Sequence, residues 1–295
     1  MKILVFTELK WALYRVYTDI AKYLPDCEFK FINWLKWYDH EMETQFNECD
    51  VFVTNFVALG VIDYLDHSKI LSVSHGFEEL QGRSVNPTFT HAITSNSIRG
   101  YFPSDMKVFL TPNGVDPEQF DYKIRNGELN TIGWCGATDK WYKQPDWARE
   151  IANQTNTLFK ITSGVQCEDD FSKWTPLSYD EIREWYSTID LLLITSIPEE
   201  KHETGPLPAF EAIVSGVPVI GTSVGNFANV PGPKFTTIEE GIEIVNHLKS
   251  DPERMKALAK EQYDYVMANC TYASFAHKWR EAFEYVSSLK DGSSV

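Results

Sequence analysis

Two carboxylates stand eight positions apart in the stretch Glu203-Thr-Gly-Pro-Leu-Pro-Ala-Phe-Glu211-Ala, which runs on through Ser215-Gly216-Val-Pro218-Val. A carboxylate placed like Glu211 can accept from the vicinal hydroxyls of a ribose. One placed like Glu203 can face a sugar carbon that develops positive charge. The plainer reading has Glu211 complementing a helix dipole and Glu203 as a solvated loop charge. A second group follows a glycine turn, in Gly133-Trp-Cys-Gly136-Ala137-Thr-Asp-Lys140-Trp-Tyr-Lys143. Cations there can meet the charge of a diphosphate leaving group, or be ordinary loop lysines. A third, His75, ends the run Lys69-Ile-Leu-Ser-Val-Ser.

The elements around these residues read as a parallel-sheet protein. Asp190-Leu-Leu-Leu-Ile-Thr195 is an apolar run of the kind buried on both sheet faces. Pro208 suits a first helical position and Gly216 with Pro218 suits the stop. Leu207 then falls at the N-cap, where its side chain caps nothing, so first-turn amides stay open to an anion, with Glu211 inside that turn.

Strand-like runs at Lys2-Phe6, Phe29-Asn33, Val51-Thr54, Lys69-Ser74, His91-Thr94 and Val108-Thr111 alternate with helical stretches or loops. A polar stretch, 121 to 130, reads as a linker. A second alternation runs through Thr131-Cys135, Trp147-Gln154, Phe159-Thr162, Asp180-Ser187, Leu191-Thr195 and Val217-Gly221. Such repeated alternation predicts two doubly wound α/β domains. Helices follow at Ile238-Leu248 and Glu253-Ala268. The last, Tyr272-Leu289, sets Phe275, Trp279, Phe283 and Val286 on one packing face.

The Glu203–Glu211 segment resembles the E-x7-E donor motif of the GT4 family of retaining glycosyltransferases. Glu203, Leu207, Pro208, Glu211, Ala212, Gly216, Pro218 and Val219 match. Thr111-Pro-Asn-Gly-Val-Asp116 is similar to the turn that ends the first domain of that family, and Cys270-Thr-Tyr-Ala-Ser-Phe-Ala-His-Lys-Trp279 to its closing helix. The resemblance implies the GT-B architecture, two Rossmann-like domains facing across a cleft. They are expected at 1–124 and 125–271, with the terminal helix 272–290 packing back on the first.

It also implies roles. Glu211 takes the ribose; Lys143, Lys140, Gly136 and the amides after Gly205 and at Leu207 take the diphosphate; Glu203 and His75 take the sugar. The chain departs from the pattern at five positions near these residues. Gly205 replaces a Phe, Pro206 replaces a Gly and has no N–H to offer, and Ala137 replaces a phosphate-binding Arg. The segment Val224-Gly225-Asn226-Phe-Ala-Asn229-Val230 carries Asn226 for a second Gly and Asn229 for a Glu.

Composition sets the remaining bounds. The 295-residue chain has a net charge of −15, which disfavours nucleic acid or an anionic membrane as a non-specific partner. Cys27, Cys49, Cys135, Cys167 and Cys270 lack C-x-x-C spacing and read as reduced thiols. The start reads as a strand rather than a leader, no run is long enough for a membrane span, and a cytoplasmic location is expected. Trp11, Trp34, Trp37 and Trp141 are candidate sugar platforms or, more plainly, packing residues.

The expected activity is metal-independent transfer of a sugar from a nucleotide-diphosphate-sugar to an acceptor hydroxyl of a glycan or another molecule, with retention and no cofactor. Two alternatives stay open, a nucleotide-sugar-binding protein with impaired catalysis and another GT-B enzyme such as a nucleotide-sugar epimerase.

Overall fold

A mostly apolar hexamer, Lys2–Thr7, starts the chain as a buried strand. The computed structural model describes residues 1–8, 12–34, 40–123, 125–163, 178–199 and 202–289; Trp11, Trp37 and Cys167 lie outside them. The chain runs β1 (Lys2–Thr7), α1 (Ala12–Lys22), β2 (Glu28–Asn33), α2 (His40–Glu48), β3 (Val51–Asn55), α3 (Leu59–Ile62), β4 (Ile70–Ser74), β5 (Thr90–Ile93) and β6 (Val108–Leu110). It continues with β7 (Thr131–Cys135), α4 (Pro145–Gln154), β8 (Leu158–Thr162), α5 (Tyr179–Tyr186), β9 (Leu191–Ile194), α6 (Leu207–Val214), β10 (Val219–Gly221), α7 (Ile238–Ser250), α8 (Pro252–Asn269) and α9 (Tyr272–Leu289).

The chain divides into two compact units, Met1–Gly114 with Tyr272–Val295, and Val115–Thr271. In the first, the parallel strand order is β2-β1-β3-β4-β5-β6, with Val5 opposite Phe31 on one side and Val53 on the other. Successive side chains alternate between faces. One face packs Phe6, Phe46, Phe52 and Ile62 together, with Phe46 and Phe52 edge to face at 5.2 Å. On α1 and α9, Tyr17 and Trp279 meet edge to face at 5.8 Å. Trp279, Phe283 and Val286 of α9 are fully buried, and the Trp279 indole N–H donates to Pro112 O at 3.2 Å.

In the second unit the parallel order is β10-β9-β7-β8. β7 has β8 on one side and β9 on the other, so the connections leaving β7 and β9 diverge at their carboxyl ends. That is the switch point where open α/β sheets hold ligands. Trp134, Ile132, Leu191, Leu193 and Ile220 form the core beneath it.

The helix after β9 corrects one expectation. α6 starts at Leu207, so its N-cap is Pro206, not Leu207, and Glu211 falls in the second turn. Both prolines lack an N–H, and Ala209 N donates to Pro206 O at 2.9 Å. The amides at this end are therefore fewer than the sequence suggested, since neither Pro206 nor Pro208 has an N–H and that of Ala209 is already engaged. Gly216 ends the helix at φ +81°, a left-handed position that glycine takes at little cost.

Candidate functional site

Gly136 leaves β7 with its N–H donating to Thr162 O of β8 at 3.2 Å. Two turns then fold the loop back. Lys140 N donates to Ala137 O at 3.3 Å and Lys143 N to Lys140 O at 2.9 Å. The 3-10 turn Trp141–Lys143 follows, and it ties to the segment after β9 through Ile197 N donating to Tyr142 O at 2.8 Å. Lys143 and Lys140 thus stand at the switch point of the sheet.

Glu203 arrives from the β9 side. Its carboxylate pairs with the Lys143 ammonium, with side chains 12% and 19% exposed, so solvent screens the pair only partly. The Ser196 hydroxyl lies 3.5 Å from the same carboxylate oxygen. Gly225 determines where this loop runs. Its φ is +44°, and a β-carbon there would collide with the backbone of Thr204 and Glu203. The neighbouring Asn226 N–H donates to Thr204 O at 2.8 Å, so the turn that departs from the family pattern acts here as a support for Glu203–Gly205.

Glu211 is buried, at 4% exposure, and accepts a 2.8 Å hydrogen bond from the Tyr186 hydroxyl on α5. A carboxylate inside an otherwise apolar helix needs such donors. Tyr186 and Ser196 were not legible in advance, because each reaches the site from a different element and neither belongs to a spacing pattern. His202 stands alone in the sequence, outside any spacing pattern. It stacks on Tyr142 with ring centroids 4.6 Å apart, directly before Glu203. Trp141 is exposed and meets both rings edge to face. Trp34 is part of the packing around the first unit's core.

In the first unit His75 follows β4. Its Nε2 lies 3.1 Å from the Tyr17 hydroxyl, which donates to Asn55 Oδ1 at 3.3 Å, and its backbone N–H donates to Glu79 at 3.1 Å. Burial lowers the imidazole pKa to about 4, against a smaller opposing effect of the Asn113 side chain. The ring is neutral at pH 7. Burial also raises the Glu79 carboxyl to about 7, countered in part by the His75 N–H and the Arg83 charge.

Among the described residues, no three His, Cys, Asp or Glu side chains come together as a metal site. Nor is any helix there long and apolar enough to cross a membrane.

No family model matches the chain, and no curated protein matches it in sequence. Solved structures do. HepE of Anabaena, in complex with UDP-glucose, is 14% identical with a TM-score of 0.73, covering 98% of this chain and 100% of its own. AviGT4, a glycosyltransferase involved in avilamycin A biosynthesis, is 14% identical with a TM-score of 0.69, covering 97% and 98%. WaaG, a glycosyltransferase involved in lipopolysaccharide biosynthesis, is 13% identical with a TM-score of 0.65, covering 96% and 98%. The fold is GT-B.

Within a GT-B protein, the described elements bring together some of the expected residues and leave others apart. Lys143 and Glu203 are in contact. Gly136 and Lys140 share the lysine's loop, and Gly205 and Leu207 continue from Glu203 into α6. Glu211 faces Tyr186, and His75 belongs to the other unit.

Proposed function

We propose that this chain is a GT4-type glycosyltransferase that moves a sugar from a nucleoside-diphosphate donor to an acceptor hydroxyl with retention and without a metal. The observation that carries the reading is the Lys143–Glu203 pair at the switch point of the second sheet, with Glu211 buried in the helix that follows. A developing diphosphate charge needs a fixed cation, and a developing positive charge at the sugar carbon needs a fixed anion. The pair supplies one of each.

In this reading Glu211 accepts from the ribose hydroxyls. Lys143 holds the diphosphate, aided by Lys140 and the Gly136 turn of the same loop and by the amides of Gly205 and Leu207. Glu203 positions the sugar and stabilises its developing charge. His75, neutral in its part-buried site, exchanges a hydrogen bond with the sugar. The reaction is proposed to take place in the cytoplasm, on a glycan or another hydroxyl-bearing acceptor.

A second reading, donor binding with impaired catalysis, is favoured by Ala137 and Pro206, each of which removes a group able to hold the donor. One experiment separates them. A thermal-shift screen of UDP, GDP, ADP and their sugars identifies the donor, since binding to the folded state raises apparent stability. Mass spectrometry of the bound donor with an acceptor panel then reads transfer or hydrolysis. Binding without either product supports the second reading, and no binding at all sinks both.

A further inference from the structure

Resting on the donor-site reading above, we propose that Thr195 is a positioning residue for diphosphate binding, because its hydroxyl holds the strained turn that presents Lys143. Lys143 is followed by Gln144 at φ 48° and ψ 56°, a left-handed conformation that a side chain with a β-carbon disfavours. Such a conformation persists only where its surroundings over-determine it, and it tends to mark functional turns.

The surroundings are specific. Thr195 Oγ1 lies 2.8 Å from both Lys143 O and Gln144 O, so its single hydrogen serves the two carbonyls that flank the left-handed residue. A lone pair of the same oxygen accepts from the Trp134 indole N–H at 3.0 Å. Thr195 and Trp134 are buried, at 1% and 2% exposure, so water offers these groups no substitute.

The Gln144 side chain completes the turn by donating to Trp141 O at 2.8 Å. The adjoining residues act on the same centre, since Ile197 N holds Tyr142 O and Ser196 reaches Glu203. A run of three residues after β9 therefore fixes the backbone that carries the cation and touches the carboxylate paired with it. Thr195 touches no donor atom itself; it acts through the position of Lys143.

Thr195→Val keeps the shape of the side chain and removes all three hydrogen bonds, whereas Thr195→Ser keeps the hydroxyl. Calorimetric titration of the whole protein with UDP, GDP and ADP, and with the three matching monophosphates, reads the effect. The expected result is that Thr195→Val lowers the preference for diphosphate over monophosphate about tenfold, the scale of one charge-assisted hydrogen bond. Monophosphate affinity should stay near wild type, and Thr195→Ser should restore the preference. Equal loss for both nucleotides, or an intact preference in folded Thr195→Val protein, would overturn the inference while leaving the donor site standing.

Should Thr195→Val not fold, Trp134→Phe removes the indole donor, one of the three hydrogen bonds at the Thr195 hydroxyl. It should lower the same preference by a smaller factor, and an unchanged preference overturns the proposal. Wild-type protein that binds none of these nucleotides would overturn the donor-site reading, and this inference with it.

Discussion

The hydroxyl of Tyr186, on the last turn of α5, donates to Glu211 Oε2 at 2.8 Å, and both side chains are buried. This contact fixes which way the Glu211 carboxylate turns. If Glu211 holds a ribose, Glu211→Ala should weaken binding of the donor's nucleoside diphosphate at least tenfold, the scale of hydrogen bonds to a charged acceptor. The loss should vanish for the 2′,3′-dideoxy analogue. Tyr186→Phe should cost about 1 kcal/mol of the same binding, roughly fivefold. Equal losses for ribose and dideoxyribose forms would remove Glu211 from the ribose.

The ion pair between Lys143 and Glu203 makes a second, asymmetric prediction. Lys143→Met should reduce transfer by about a hundredfold or more and weaken nucleoside-diphosphate binding. Losing the partner of a half-buried carboxylate should also lower stability by about 1–3 kcal/mol. Glu203→Gln should reduce transfer comparably, but affinity for the sugar-free diphosphate should hold or rise, because Lys143 no longer shares its charge with a carboxylate. Isothermal titration of both variants decides this, and a matching loss of diphosphate affinity in Glu203→Gln would place Glu203 on the wrong part of the donor.

His75 and Glu79 predict opposed pH dependences. Folded Glu79 titrates at about 7 against an ordinary 4.5, so it keeps a proton that the unfolded chain has released, and its contribution to stability is lost as pH rises from 4.5 to 7. Folded His75 titrates at about 4 against 6.5, so its contribution is present above 6.5 and lost as pH falls toward 4. Between 4.5 and 6.5 the two slopes cancel.

Glu79→Gln should uncover stability that rises with pH across that window. His75→Gln should uncover stability that falls by roughly 3 kcal/mol from pH 4.5 to 7. Urea denaturation at four pH values between 4.5 and 7.5 checks both signs. Parallel curves for wild type and Glu79→Gln would mean that the carboxyl does not titrate there.

Gly225→Ala should injure the site without touching a proposed ligand contact. At φ +44°, against the backbone of Thr204 and Glu203, a methyl group forces the Glu203 loop to move. A cost of about 1–3 kcal/mol follows from the strain, together with a fall in kcat larger than any change in nucleoside-diphosphate affinity. Steady-state kinetics beside thermal unfolding would show it, and wild-type kcat in a stable Gly225→Ala protein would contradict the role given to this turn.

Much of the framework was legible from residue order. The apolar runs of β1, β3, β7 and β9 are short, continuous and bounded by turn residues, a pattern that follows from burial on both faces of a parallel sheet. The α9 stripe around Trp279 and Phe283 follows from helical periodicity in the same way. The start of α6 at Leu207, with Pro206 as its N-cap, was misplaced by one residue because proline suits more than one position near a helix N-terminus, and the sequence holds two prolines there. Local pattern does not separate them.

The sequence by itself determined which stretches are buried strands and helices, and which residue types, Lys143, Glu203, Glu211 and His75, were on hand for chemistry. Only the tertiary structure decided their partners. Lys143 meets Glu203 across 60 positions, Tyr186 meets Glu211 across 25, and Trp134 meets Thr195 across 61. Those meetings depend on β9 lying beside β7. Periodicity reports whether a side chain faces the core, because burial acts on each residue in turn. Which side chain waits there depends on strand order, and strand order arises from the packing of the whole sheet.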